Sequence, residues 1–145
     1  MTLHYSSRAL IQIADQVLLV KRVGDSLSFL PGGHVDFAEV AAATVVREIF
    51  EETGLEARIG ALIGVAENDW VEGDQHQTEI ALIFRATLAG RTEALPVVSR
   101  EPHLEFFWAR LSELESYALH PVALRGILRA GTTQFEGFVA SDLDA

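Results

Sequence analysis

Glu48, Glu51 and Glu52 crowd into the segment Arg47-Glu48-Ile49-Phe50-Glu51-Glu52. On an α-helix, at about 100° per residue, Glu51 and Glu52 fall about 60° and 40° to either side of Glu48. All three carboxylates then leave one helix face within a single turn. Unpartnered, such a cluster repels itself and weakens the helix that carries it. A divalent cation with hard oxygen ligands, of the Mg²⁺ type with Mn²⁺ as an alternative, removes that cost. The chemistry it would bring is polarisation of a phosphoryl oxygen and activation of water.

The elements around the cluster follow from local patterning. A helix is expected from about Glu39 to Glu52, with Gly54 as its stop. Its apolar stripe is Ala42, Val46, Ile49 and Thr53, with Phe50 alongside; this stripe centres about 140° from Glu48. The helix should therefore bury one side and present the acids on the other. Before it, residues 8–14 and 17–22 read as β-rich runs joined at Asp15-Gln16, with a second turn at Gly24-Asp25. Ser28 to Leu30 is a short extended piece stopped by Pro31-Gly32-Gly33. After the helix, residues 58–66 and 78–88 are β-prone, with a polar stretch, Asn68 to Gln77, between them that carries Trp70. Residues 104–111 form another strand candidate, in which Trp108 is expected in the core. His120-Pro121 opens a last helix that ends before Gly131. Residues 132–145 read as a loosely packed, acidic tail with Phe135 and Phe138 as docking points. Strands, helix, strands, helix is the order of a mixed sheet between helices.

The spacing is also a signature. Gly33, Glu39, Arg47, Glu48, Ile49, Glu51, Glu52, Gly54 and Leu55 match G-x5-E-x7-R-E-U-x-E-E-x-G-U, with U apolar, at every defined position. With each defined residue type at about 5 to 8% of average usage, a chance match at one position has odds on the order of 10⁻⁹. The segment resembles the box of the Nudix hydrolases, which cleave nucleoside diphosphates linked to another moiety. The resemblance covers residues 8–130 and implies an α/β fold, the Nudix-type α/β/α sandwich with a mixed β-sheet. It also implies a single domain over residues 1–145.

Several roles come with the resemblance. Glu48, Glu51 and Glu52 are implied as metal ligands together with the backbone carbonyl of Gly32. Arg47 is implied to hold the glutamates in place, with Glu39 and Gly33 supporting that arrangement. Glu105, just before Phe106-Phe107-Trp108, resembles an extra metal-binding acid of some relatives. The general base stays open: Glu51 or Glu48 first, Glu105 second, and Glu101 as a loop alternative. Ala38 stands where a glycine is common, which puts a tight local turn in question. For the organic end of the substrate, Trp70 for stacking and His76 for hydrogen bonding are the candidates. His34 and His120 are expected to be structural.

Composition bounds the rest. The 145 residues suit one domain, and nearly half of them are apolar. A formal net charge of −10 argues against nucleic acid or an anionic membrane as partner, while leaving a small nucleotide substrate open, because a cation supplies positive charge locally. The chain has no cysteine, which fits a reducing compartment and makes the cytoplasm the expected location. The apolar run from Ala9 to Val20 is broken by Gln12, Asp15 and Gln16, so no membrane span is expected. Many members of the family are dimers, so a homodimer is an expectation without a legible interface.

Two other classes compete with hydrolysis. A non-catalytic nucleotide-binding sensor on the same fold usually loses box glutamates, and this chain keeps them. An isoprenoid-diphosphate isomerase needs a cysteine, which this chain lacks. Substrate markers downstream of the box are absent: Trp70 replaces a proline, and Val71, Glu72 and Gly73 stand where a tyrosine would. Nucleoside triphosphates, nucleotide sugars and dinucleoside polyphosphates all stay open.

Overall fold

Strand β1 (Thr2–Ile13) and strand β2 (Gln16–Arg22) form a hairpin whose reversal falls at Ala14-Asp15, one residue earlier than the sequence suggests. They belong to a computed structural model that describes residues 1–131 and 137–143. The hairpin pairs only at Gln12↔Val17 and Ile13↔Gln16. Strand β3 (Gly32–His34), expected as a turn, pairs instead with the middle of β1. Strands β4 (Ala57–Glu72) and β5 (Gln75–Leu88) make a long antiparallel hairpin, β6 (Leu104–Arg110) lies against β2, and β7 (Phe138–Ser141) lies parallel to β4. The order is β6-β2-β1-β5-β4-β7, with β3 beside β1.

Alternation along the central strands sends side chains to both faces. Leu10, Val17, Leu19 and Ile83 join Leu124 and Leu128 of helix α2 (Ala123–Ala130) in one core. Ala9, Ile11, Leu18 and Ala86 join Val45 and Ile49 of helix α1 (Ala41–Thr53) in the other. The two helices therefore cover opposite faces of a mixed sheet, an α/β/α sandwich. Trp108 packs half-buried against the α1-side core, and its Nε1 donates to the Leu95 carbonyl at 2.7 Å. No helix among the described residues is long and apolar enough to cross a membrane.

Four elements differ from what the sequence suggests. First, Asn68 to Gln77 is not a loop. Both strands run through it and reverse at Gly73-Asp74, where Gly73 supplies a φ of 65°. Trp70 and His76 are thus strand residues whose facing is set by cross-strand register. Second, α1 is rotated relative to the expected stripe. Thr44, Val45 and Ile49 are buried, whereas Phe50 is exposed. Glu52 lies only about 20° around the helix from Val45, so it sits on the inward face and not opposite it. Third, the tail is part of the sheet. Phe138 lies over Gly64, where a Cβ would come 2.6 Å from its Cγ. Asp142 then accepts from the backbone N–H groups of Val122 and Ala123 at 2.7 and 2.9 Å, capping α2. Phe135 lies outside the described residues. The last helix also begins later than expected, with His120-Pro121 ahead of its first turn.

Candidate active site

Arg47 organises the acids around it. Its guanidinium donates to both oxygens of Glu39, from Nε at 2.7 Å and from Nη2 at 2.9 Å, which is the strong two-point geometry for this pair. The same group reaches Glu48 Oε1 at 3.0 Å, Glu51 Oε2 at 3.4 Å and Asp36 Oδ2 at 3.4 Å. Glu39 does not lie on the helix as expected. It precedes the N-cap, Val40, and its Oε1 accepts from Thr44 Oγ1 at 2.6 Å and from the Asp36 N–H at 3.2 Å. These donors, Arg47 foremost, hold the Glu39 carboxyl down at about 2. Ala38 holds the turn before it with a φ of 63°. An alanine in that left-handed region costs about 1 kcal/mol, so the expected glycine is dispensable for the turn's shape.

Glu48 and Glu52 form the pair that faces inward. Burial first, then the Glu48 charge and a shared hydrogen bond, push the Glu52 carboxyl up to about 8; the Glu101 charge adds to this and Arg8 opposes it. The Gly32–Gly33 backbone closes on the pair: a Cβ on Gly33 would come 2.6 Å from Glu48 Cδ. Ser7 pairs with Gly33 across β1 and β3, so its side chain projects to that same side. Its hydroxyl is buried and has no protein hydrogen-bond partner. Two neighbouring carboxylates, a side-chain-free stretch of strand backbone and an orphan buried hydroxyl make a donor set that fits a hard divalent cation. Among the described residues, however, no three acid or imidazole groups converge on one point as they stand. Glu51 is exposed and drawn aside by Arg47.

A test of the pair follows from its titration. Without a cation, the folded protein keeps the Glu52 proton up to about pH 8, whereas the unfolded chain loses it near the usual 4.5. The unfolded state then binds fewer protons, so this group makes stability fall as pH rises from about 4.5 to about 8. Mg²⁺ should displace that proton, and its gain in melting temperature should be larger at about pH 8 than at about pH 5.5. Equal gains at both pH values would take Glu52 out of the cation site.

Glu52 opens into a cleft of about 650 Å³ that is also lined by Gly32, Arg8, Lys21, Trp70 and Glu79. It lies where β1 and β2 part beyond their two paired positions. Of the sequence candidates for the organic end, Trp70 faces this cleft, whereas His76 is exposed and not among its lining residues. Glu105 sits exposed on β6, 3.8 Å from Lys21 Nζ, and is not brought to the Glu48–Glu52 pair. His34 and His120, expected to be structural, both line the cleft. His4, Arg8 and Glu79 were not singled out by sequence reasoning. Their signal was the alternation His4-x-Ser6-x-Arg8 and Gln77-x-Glu79, which puts polar groups on one sheet face. A second depression, of about 500 Å³ between β4 and β7, is lined by residues such as Leu62 and Phe138 and, among the described residues, by no ionisable group.

The family model for the NUDIX domain matches residues 3–130. A Bacillus subtilis (strain 168) protein named "Putative 8-oxo-dGTP diphosphatase" is 48% identical over 81 residues, 56% of this chain and 51% of its own. An ADP-ribose pyrophosphatase of Methanocaldococcus jannaschii is 33% identical over 84 residues, 56% of this chain and 48% of its own. The chain thus spans about half the length of the curated relatives it matches. The crystal structure of a MutT protein from Methanosarcina mazei Go1 superposes with a TM-score of 0.65 at 27% identity, covering 88% of this chain and 91% of that one.

Proposed function

The chain belongs to the NUDIX domain family, and from that premise we propose that it is a divalent-cation-dependent hydrolase. Its reaction is cleavage of a phosphoanhydride bond in a nucleoside diphosphate linked to another moiety. The observation that carries this reading is the inward pair Glu48–Glu52, closed by Gly33 and bracketed by Arg47, at the edge of a cleft large enough for a nucleotide.

Glu48, Glu52 and the Gly32 carbonyl would hold Mg²⁺ or Mn²⁺, with Glu51 joining from its exposed position. Bound there, the cation supplies Lewis-acid polarisation of a phosphoryl oxygen and a more acidic water. Arg47 keeps Glu48 and Glu51 from turning away, through contacts of 3.0 and 3.4 Å. Arg8 and Lys21 bring positive charge into a cleft whose surroundings are acidic, which suits a phosphate chain. Water attacks one phosphorus, the bridging P–O bond breaks, and the products are a mononucleotide and a phosphorylated remainder. A triphosphate would release pyrophosphate instead. Relatives named for an oxidised deoxyguanosine triphosphate and for ADP-ribose support both kinds of substrate.

The test is chromatographic detection of the mononucleotide and the phosphorylated remainder formed with Mg²⁺ from nucleoside triphosphates, nucleotide sugars and dinucleoside polyphosphates. At least one is expected to be hydrolysed, and chelator should abolish the activity while far-UV circular dichroism barely changes. Silence across the panel, with nucleotide binding intact, would replace the hydrolase with a nucleotide sensor. Global unfolding on chelation would make the cation structural.

A further inference from the structure

Three planar rings from three strands stand in a row along one wall of the cleft. His34 on β3 and His4 on β1 meet edge to edge, with centroids 5.0 Å apart, planes 30° from parallel and facing nitrogens 2.9 Å apart. His4 and Trp70 on β4 continue the row at 5.2 Å and 25°. Both nitrogens of His4 are engaged: Nδ1 lies 2.9 Å from His34 Nε2, and Nε2 lies 2.7 Å from Gln77 Oε1. Gln77, nearly buried, is the β5 residue that pairs with Trp70. The middle ring is therefore fixed in orientation from both edges, and it in turn sets the plane of the indole.

Folding does not account for this row. Trp70 belongs to neither hydrophobic core and is 36% exposed. His34 is exposed as well. An indole kept at the surface and oriented by a hydrogen-bonded imidazole offers a flat π-face at low entropic cost to a partner. The wall shares its cleft with Glu52, Gly32 and Arg8. A ligand that reaches from the acid pair to the indole has a phosphorylated end and a planar end.

We propose that His34, His4 and Trp70 form one platform for the nucleobase of the substrate, with His4 as the residue that positions Trp70. This rests on the hydrolase reading for the identity of the phosphorylated end, and it assigns the contact that holds the base of the nucleoside diphosphate. Phosphorylated compounds without an aromatic ring would lack the stacking contact.

The test reads binding without turnover. AMP and GMP, with Mg²⁺, should quench the protein's tryptophan emission saturably, and the quench should vanish in Trp70→Phe, which leaves Trp108 as the remaining indole. By calorimetry, ribose 5-phosphate should bind about tenfold or more weaker than AMP, the loss typical of one stacked base. His4→Ala should weaken AMP by a similar factor, His4→Phe should fall short of the parent because it lacks the two nitrogens that orient the ring, and neither should move the affinity for pyrophosphate. Should His4→Ala fail to fold, Trp70→Leu carries the comparison, since Trp70 lies outside both cores. Equal affinities for AMP and ribose 5-phosphate, or unchanged AMP binding in a folded His4→Ala protein, would overturn the platform. A panel substrate hydrolysed with no Trp70 signal would remove the platform alone; a Trp70 signal without hydrolysis would remove the hydrolase alone.

Discussion

Glu52→Gln is expected to fold as the parent does and to lose turnover by about two to four orders of magnitude. The amide keeps the size of the carboxyl and removes its charge. Glu52 is the box acid that burial and Glu48 push hardest, up to about 8. In the cation-free protein, losing that charge relieves repulsion against Glu48, so the variant should be at least as stable as the parent above about pH 8. Activity and stability then move in opposite directions, the trade-off expected where like charges are held together for function. Steady-state turnover on the substrate found in the panel, set beside melting temperatures with and without Mg²⁺, checks both halves. Near-normal turnover would remove Glu52 from the site. A large drop in cation-free stability would mean that the carboxyl serves the fold.

Arg8→Ala carries the largest expected loss of stability, about 3 to 5 kcal/mol, a large share of what a domain of this size has. Arg8 and Glu79 form a largely buried pair on the cleft floor, with Nη2–Oε2 at 3.1 Å and Nε–Oε1 at 3.2 Å. Arg8 Nη1 also donates to the Leu30 carbonyl, and Ser6 Oγ donates to Glu79. Burial alone would raise the Glu79 carboxyl, but the Arg8 charge and these hydrogen bonds win and hold it below its usual value. In the parent, that contribution is therefore present above the usual 4.5 and is lost as pH falls through the lowered value. Without Arg8, only the Ser6 hydrogen bond and His34 oppose burial, and the stranded carboxylate costs most at neutral pH. The stability gap between variant and parent should consequently shrink as the solution is acidified towards pH 4. Denaturant midpoints at pH 7 and pH 4 measure it. Arg8→Met combined with Glu79→Leu should recover most of the loss, because a buried pair replaced by apolar side chains leaves no stranded charge. A pH-independent gap would instead point to lost packing of the arginine stem.

The acids, the arginine between them and the glycine that ends the helix were all legible because they lie on one continuous segment. Glu48, Glu51 and Glu52 share a turn, and Gly54 holds a φ of 73° at the helix end, its N–H donating to the Phe50 carbonyl. Even so, the facing of that helix was misjudged. Apolarity alone selected Ala42, Val46 and Ile49, whereas the sheet beneath takes Val45 and Ile49 and, with them, draws Glu52 inward. Glu39 shows the same limit on a smaller scale. Its distance from Arg47 along the chain suggested two helical turns, yet the pair closes across a loop that Ala38 bends.

By itself the sequence determined the family, the α/β class, the acid cluster with its arginine and the expectation of a hard cation. Each is a matter of residue type and local spacing, which the chain carries wherever it folds. Only the tertiary structure decided that β3 lies against β1 so that Gly33 and Ser7 meet Glu48's side of the sheet. The same holds for the Arg8–Glu79 pair, which joins residues 71 apart, and for the contact of His4 with His34 and Trp70. It holds too for the capping of α2 by Asp142 from beyond β7. These partners are set by strand register, and register is chosen by how both faces of the whole sheet bury their apolar side chains at once.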